Sequence, residues 1–190
     1  MERADVVLVY PQRAPKQGRH WIMPSLGLMY LSASLRGAGY SVRHLDHTFL
    51  ERDQVLAEID RLKPSVIGIY CMITMQDEAL SLAAQVRGKA LTVVGGPYPS
   101  GEPETFVDQF DLVAVGEGEE TIVSIMEHLD DRRFEEIPGV VFSAKARWSG
   151  APPVTAARTC HTSRCRTAAT SPTTSTSATG ASIGRTRPRR

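Results

Sequence analysis

Short apolar runs alternate with segments of helical periodicity over the first 145 residues of the chain. The runs are continuously apolar, which is typical of strands that are covered on both faces in a parallel sheet. We predict five such strands, at residues 5–10, 40–45, 65–70, 90–94 and 111–115. The second run is less apolar than the others, which favours a place near the edge of the sheet. Residues 140–142 suggest a further short strand or hairpin arm.

Helical segments follow the predicted strands, at residues 26–36, 54–62, 76–87, 103–110 and 119–129. Ser25 is the predicted N-cap of the first helix, whose predicted apolar face consists of Leu26, Met29, Tyr30, Ala33 and Leu35. Strands joined by helices of this length pair in parallel through right-handed crossovers. The pattern therefore predicts a doubly wound, Rossmann-like α/β fold. Its parallel five-stranded sheet should have flavodoxin-like order, helices on both faces and a switch point between the first and third strands.

The last forty residues differ in composition from the rest of the chain. Residues 151–190 consist mostly of Thr, Ala, Arg and Ser and contain no aromatic residue. Such a segment cannot bury enough apolar surface to offset its chain entropy. We predict an α/β domain over residues 1–146 and a disordered tail over residues 147–190. The tail is either a natural basic linker or the product of a reading frame that is lost near residue 150, since frameshifted GC-rich genes encode such mixtures.

Charge and composition exclude several classes of partner. The net charge is +1, so no nucleic-acid partner is expected from the whole chain. No apolar run reaches the ~20 residues that a membrane span needs, and the N-terminus passes directly into a strand, as in a protein without a signal peptide. We therefore expect no membrane partner and a cytoplasmic location. Three cysteines are too few for a disulfide framework, and the spacing of Cys160 and Cys165 is not that of a usual zinc pair.

Glycine ends two of the predicted strands and opens the loops that follow them. Gly95 and Gly96 end the fourth strand, and residues 116–121, Gly-Glu-Gly-Glu-Glu-Thr, follow the fifth. The loops at residues 11–24, 71–76, 95–101 and 116–120 should meet at the carboxyl edge of the sheet, where open α/β sheets bind ligands. They contain few charges, which favours a large and mostly neutral ligand held by backbone and van der Waals contacts.

Familiar catalytic and phosphate-binding motifs are absent from these loops. Neither G-x-G-x-x-G nor G-x-x-x-x-G-K-[S/T] follows the first strand, and none of these loops contains G-x-S-x-G. We therefore predict no catalytic residue and no metal ligand. Glu117 is the best acidic candidate for a ligand contact, whereas Glu119 and Glu120 suit the first turn of a helix. His20 is a weaker candidate, and His44 and His47 are predicted to lie on the surface.

Seven motifs, taken together, resemble one known family. They are residues 7–11 (Val-Leu-Val-Tyr-Pro), 24–31 (Pro-Ser-Leu-Gly-Leu-Met-Tyr-Leu), 35–40 (Leu-Arg-Gly-Ala-Gly-Tyr), 64–69 (Pro-Ser-Val-Ile-Gly-Ile), 95–100 (Gly-Gly-Pro-Tyr-Pro-Ser), 103–104 (Pro-Glu) and 111–121. Residues 5–143 thus resemble the N-terminal cobalamin-binding domain of B12-dependent radical S-adenosylmethionine (SAM) enzymes.

The resemblance implies a cofactor, methylcobalamin, and a way of binding it. The corrin would lie across the carboxyl edge of the sheet, and its nucleotide tail would enter between strands. Gly95 and Gly96 would let the tail pass close to the backbone, so a side chain at Gly96 should block binding and leave the fold intact. The predicted cofactor-binding residues are Pro24, Ser25, Leu26, Gly27, Cys71, Thr74, Gly95, Gly96, Pro97, Tyr98, Gly116, Glu117, Gly118, Glu119 and Thr121.

Two departures from the family pattern limit what the resemblance implies. The D-x-H-x-x-G motif of classical cobalamin domains is absent after the first strand, which leaves open whether a protein nitrogen binds cobalt. The C-x-x-x-C-x-x-C motif of radical enzymes is also absent. S-adenosylmethionine and a 4Fe–4S cluster are therefore expected only in intact relatives, which are methyltransferases or cyclases.

The preferred hypothesis is a cobalamin-binding domain of a truncated or frame-disrupted radical methyltransferase-type protein. A radical SAM domain or subunit would be its partner. The chain by itself is not expected to perform the radical step. The alternatives are a free-standing cobalamin carrier or partner subunit, and a flavodoxin-like regulatory module with no corrin.

Overall fold

A computed structural model describes residues 3–11 and 24–143 of the chain. Six strands form one sheet: β1 (Val6–Tyr10), β2 (Val42–Asp46), β3 (Val66–Tyr70), β4 (Leu91–Gly95), β5 (Leu112–Ala114) and β6 (Val140–Val141). Their spatial order is β2-β1-β3-β4-β5-β6, and β1 to β5 pair in parallel. This confirms the flavodoxin-like order, with the switch point between β1 and β3 and the less apolar β2 at an edge.

The sixth strand corrects the predicted five-stranded parallel sheet. β6 pairs with β5 in the antiparallel direction, with Val113 opposite Val141 and Ala114 opposite Val140. The connection from β5 to β6 contains a helix at Glu119–Glu127 and a 3₁₀ turn at Phe134–Glu136, and Gly139, whose φ is 79°, turns the chain into β6. Two residues are too few for a recognisable strand pattern, which is why their pairing direction could not be read from the sequence.

Five helices cover the two faces of the sheet: α1 (Leu26–Gly37), α2 (Arg52–Leu62), α3 (Gln76–Val86), α4 (Pro97–Gly101) and α5 (Glu119–Glu127). Three 3₁₀ turns lie at Ile73–Met75, Pro103–Thr105 and Phe134–Glu136. α2 begins two residues earlier than predicted, because Gln54 accepts a hydrogen bond from the backbone N–H of Glu51 at 2.9 Å and closes a capping box.

The fourth helix lies in a different place from its prediction. Residues 103–110 were expected to be helical because Pro103 suits a first turn. The helix instead begins at Pro97, directly after Gly96, and Pro103 opens only a 3₁₀ turn. Proline favours the first helical position wherever the preceding residue permits it. The loop predicted at residues 95–101 is therefore largely a short helix at the carboxyl edge.

Side chains of successive strand residues point to opposite faces of the sheet and build two cores. Val6 and Leu8 belong to the core that packs against α1 and α5. Val7 and Val9 belong to the core that packs against α2 and α3. Both cores are continuous beneath their helices, as doubly wound sheets require.

The buried face of α1 is not the predicted one. Leu28 and Leu35 are buried against the sheet, whereas Leu26, Met29 and Tyr30 are 63%, 49% and 61% exposed. Ala33 is also exposed, so Leu35 alone was placed correctly. The helix carries apolar residues on two sides, and its own periodicity cannot tell which side meets the sheet.

Some predictions concern residues outside the described ranges. His20, most of the loop at residues 11–24, and the predicted tail at residues 147–190 with Cys160 and Cys165 all fall there. Within the described ranges, every helix is too short or too polar to cross a bilayer.

Truncating a side chain on the buried side of α1 should destabilise the protein much more than truncating one on its exposed side. Leu35→Ala should lower the free energy of unfolding by about 2–5 kcal/mol, because it leaves a cavity at a fully buried position. Tyr30→Ala should change it by no more than about 0.5 kcal/mol, since that side chain is mostly exposed. Urea unfolding of both variants measures the difference, and a larger loss at Tyr30 would contradict the observed orientation of the helix.

Candidate functional site

A cleft of about 400 Å³ opens at the carboxyl edge of the sheet, on the side covered by α1 and α5. Leu8, Gly68 and Val93 form its floor. These residues are register partners on β1, β3 and β4, so they lie in one row across the sheet. The roof consists of Leu28, Leu31 and Ile122 from the two helices. The cleft therefore runs from the edge of the sheet into the apolar layer beneath α1 and α5.

Glycines surround the mouth of the cleft. Gly95 and Gly96 follow β4, Gly116 and Gly118 follow β5, and Gly27 lies in the first turn of α1. Three separate segments thus approach the opening without side chains. Backbone that is free of side chains lets a ligand come within van der Waals distance of the main chain.

Ser100 ties the two glycine loops together. Its hydroxyl donates a hydrogen bond to the carbonyl oxygen of Gly96 at 2.8 Å and accepts one from the N–H of Gly116 at 3.0 Å. Ser100 also lines the cleft. No individual role was predicted for this serine from the sequence. A serine four residues after Gly96 in a helical turn can bond to the carbonyl oxygen of Gly96, and this spacing is the signal that could have indicated its role in holding the loop.

Gly96 is required by the protein's own backbone. Its φ is 117°, a region that side chains rarely adopt, and a Cβ atom there would lie 2.8 Å from the carbonyl oxygen of Cys71. The same Cβ would lie 3.1 Å from the ring of Tyr70. A side chain at Gly96 would therefore strain the loop itself, which corrects the expectation that such a variant leaves the fold intact.

Gly27 has the opposite surroundings. Apart from its chain neighbours and the backbone of its own helix, no atom of the described residues lies within 4 Å of the place where its Cβ would be, and the residue faces the cleft. It occupies a regular helical position, where glycine is less favourable than other residues. A side chain at Gly27 would thus enter the open space of the cleft without meeting another part of the described chain.

Two tyrosines stand at the ends of β1 and β3. The rings of Tyr10 and Tyr70 have centroids 5.5 Å apart, and Tyr70 lines the cleft. Burial raises the pKa of both phenols above their ordinary value, and the proximity of the two rings adds to the shift for Tyr10. Both side chains are therefore neutral at physiological pH and offer flat apolar surface beside the opening.

Eight of the fifteen predicted cofactor-binding residues line the cleft: Gly27, Gly95, Gly96, Pro97, Gly116, Glu117, Gly118 and Glu119. Glu117 is exposed and Glu119 is half-buried at the start of α5. The structure thus brings together the glycine loops after β4 and β5 and the first turn of α1.

The other seven predicted residues lie outside the cleft lining. Pro24, Leu26 and Thr74 are exposed near the carboxyl edge. Ser25 caps α1, its hydroxyl accepting from the N–H of Leu28 at 3.5 Å. Thr121 is buried, and its hydroxyl donates to the carbonyl oxygen of Glu117 at 3.4 Å.

Tyr98 and Cys71 pack into the core on the opposite side of the sheet. The ring of Tyr98 meets that of Phe106 edge-on, with centroids 5.3 Å apart. Cys71 is fully buried, and burial raises the pKa of its thiol to about 11. The thiol is therefore protonated and inaccessible, as expected for a structural core cysteine.

His47 is buried, which corrects its predicted surface position. Its backbone N–H donates to the carbonyl oxygen of Tyr10 at 2.9 Å, and its Nε2 lies 3.8 Å from Oε1 of Glu78. Arg52 also reaches Oε1 of Glu78, at 3.0 Å. His44 is half-buried, and burial lowers the pKa of its imidazole below the ordinary value. No cluster of three metal-ligating side chains occurs among the described residues.

Curated relatives match part of the chain. The cytidylyl-2-hydroxyethylphosphonate methyltransferase of Streptomyces wedmorensis is 29% identical, over 62% of this chain and 27% of that protein. The hopanoid C-3 methylase of Methylococcus capsulatus is 30% identical, over 61% of this chain and 24% of that protein. The chain thus spans about a quarter of the length of these relatives.

Solved structures share the fold. The radical S-adenosylmethionine methyltransferase TsrM from Kitasatospora setae superposes with a TM-score of 0.65 at 21% identity, over 78% of this chain and 30% of that one. The cobalamin-dependent S-adenosylmethionine radical enzyme OxsB superposes with a TM-score of 0.61, also at 21% identity, over 77% of this chain and 22% of that one.

A family model settles the relationship. The B12-binding domain model matches residues 20–126, which is more than half of the chain. The match includes α1, the glycine loops after β4 and β5, and most of α5, which form most of the cleft, whereas β1 with Leu8 precedes the matched residues. The chain therefore belongs to the B12-binding domain family.

Proposed function

We propose that this domain binds cobalamin with the corrin across the carboxyl edge of the sheet and the nucleotide tail in the cleft. The observation that supports this placement most strongly is the shape of the cleft. It has an apolar floor and roof, and its mouth is formed by glycines from three segments. A deep slot beside an open edge suits a ligand that has a broad ring and a narrow side arm.

The residues present fit such a ligand. The corrin ring would rest near Tyr10 and Tyr70, which are neutral and paired at the ends of their strands. The glycine loops would let the tail pass into the cleft, and Ser100 would hold those loops at a fixed separation. Bound methylcobalamin supplies a transferable methyl group on cobalt. The residues of this chain bind and orient the cofactor and keep water from its tail.

Cobalamin binding can be measured directly. Soluble protein mixed with hydroxocobalamin should retain about one corrin per chain after desalting, read from visible absorption. We expect this result because the cleft and the glycines at its mouth are formed without the ligand, so that binding requires little rearrangement of the protein. Circular dichroism of the same sample confirms that the protein is folded. Folded protein that retains no corrin would refute the proposed function.

A substitution at Gly27 tests where the tail lies. Gly27→Leu should weaken cobalamin binding at least about tenfold, because its side chain would fill the cleft. The fold should not suffer, since leucine favours a helix over glycine by up to about 1 kcal/mol. Equilibrium titration with hydroxocobalamin measures the affinity and thermal melting measures the stability.

Gly37→Leu is the matched control for this experiment. Gly37 lies at the other end of α1, outside the cleft lining, and its Cβ position also has no described atom within 4 Å beyond its chain neighbours and helix backbone. This variant should bind cobalamin normally. Equal affinities for the two variants would place the tail elsewhere.

We further propose that the domain acts together with a radical SAM domain. Curated relatives are about four times longer than the matched region. The outer side of α1, formed by Leu26, Met29 and Tyr30, is apolar and exposed, and a second domain would cover it. The same association would place radical chemistry beside the exposed face of the corrin.

The DNA downstream of codon 150 tests this association. We expect another reading frame there to encode a C-x-x-x-C-x-x-C motif, because three spaced thiolates hold a cluster with one open iron. Resequencing the locus and translating all forward frames provides the measurement. A downstream region without such a sequence in any frame would favour a free-standing carrier.

A further inference from the structure

We propose that the inner end of the cleft selects corrinoids by the base of their nucleotide tail, accepting dimethylbenzimidazole and rejecting purines. This inference rests on the proposed function, because it requires the tail to occupy the cleft. It adds the rejection of purine-bearing corrinoids, which neither the fold nor the family match specifies.

The inner end of the cleft is hydrocarbon on every side that the described residues form. Leu8 and Val93 are buried floor residues, and Leu28, Leu31 and Ile122 form the roof. Gly68 lies between the two floor side chains and has none of its own. Cδ2 of Leu8 lies 2.8 Å from the place where a Cβ of Gly68 would be, so the Leu8 side chain covers the backbone of Gly68. None of these side chains contains nitrogen or oxygen.

The backbone of the floor offers no free partner either. Leu8, Gly68 and Val93 lie inside β1, β3 and β4, and each strand pairs with its neighbours in the parallel ladder. Their N–H and C=O groups are therefore engaged in the sheet. A polar atom that reached this depth would lose its hydrogen bonds to water and gain none from the floor.

Polar side chains of the lining lie only at the mouth. Among the described residues they are Tyr70, the last residue of β3, and Ser100, Glu117 and Glu119, which follow β4 and β5. The hydroxyl of Ser100 already donates to Gly96 and accepts from Gly116. Its single proton is therefore committed within the protein, and the hydroxyl has no second one to donate to a tail base.

The two classes of base differ in what they would bury. Adenine has an exocyclic amine and two further ring nitrogens, where dimethylbenzimidazole has only carbon and hydrogen. A buried amine without a partner costs enough free energy to weaken binding by roughly 10- to 100-fold. The hydrocarbon base instead gains contact with the floor and roof.

Three corrinoid probes test the selectivity on the unmodified chain. Affinities are measured for hydroxocobalamin, for the corresponding adeninylcobamide, and for cobinamide, which has neither nucleotide nor base. We expect the adeninyl form to bind roughly 10- to 100-fold more weakly than hydroxocobalamin. Equal affinity of these two, or tighter binding of the adeninyl form, would overturn the inference. Failure of all three probes to bind would overturn the proposed function instead.

A pair of valines on β4 provides the matched variants. Val93→Thr places a hydroxyl in the cleft floor. It should therefore lower the ratio of the affinity for hydroxocobalamin to that for the adeninyl form at least about threefold. Val94→Thr makes the same change on the next residue, which is equally buried in the opposite core. It should leave the preference unchanged. If Val93→Thr and Val94→Thr have the same affinity ratio, the cleft floor does not determine which base is bound.

Discussion

The parallel register of β1, β3 and β4 is the constraint on which the site depends. It places Leu8, Gly68 and Val93 in one row, with the glycine between two branched apolar side chains. A shift of one residue in any strand would turn these side chains toward the opposite core. The cleft floor, its depth and its lack of polar atoms all follow from this pairing. The helices α1 and α5 contribute only the roof of the cleft.

Glycines at the carboxyl edge serve two different purposes. Gly96 is imposed by the chain, because a side chain there would collide with the backbone of Cys71. A side chain at Gly27 would meet no other segment of the described chain, so its absence leaves the cleft open at this point. Ser100 joins the loops that carry Gly96 and Gly116. The two glycine loops of the mouth are thus joined by the hydrogen bonds of Ser100, and Gly27 adds open space on the side of α1.

The apolar content of α1 connects the site with what surrounds it. Leu28 and Leu31 roof the cleft, and Leu35 packs deeper in the same core. The outer side of the helix remains exposed although it is apolar. A helix with two apolar sides fits a domain that holds a cofactor on one side and meets a larger protein on the other. This link between packing and partner is part of our proposal.

The sequence alone determined the five parallel strands, their order, the glycine loops at the carboxyl edge and the family, because continuous apolar runs and glycine motifs are local signals. Only the tertiary structure decided which side of α1 is buried, that β6 runs antiparallel and that His47 lies inside. It also showed that Ser100 ties two loops and that Cys71 and Tyr98 point into the opposite core. Each of these depends on contacts between segments far apart in the chain. Such contacts cannot be predicted from local periodicity and composition, because these patterns describe one segment and not the surface against which that segment packs.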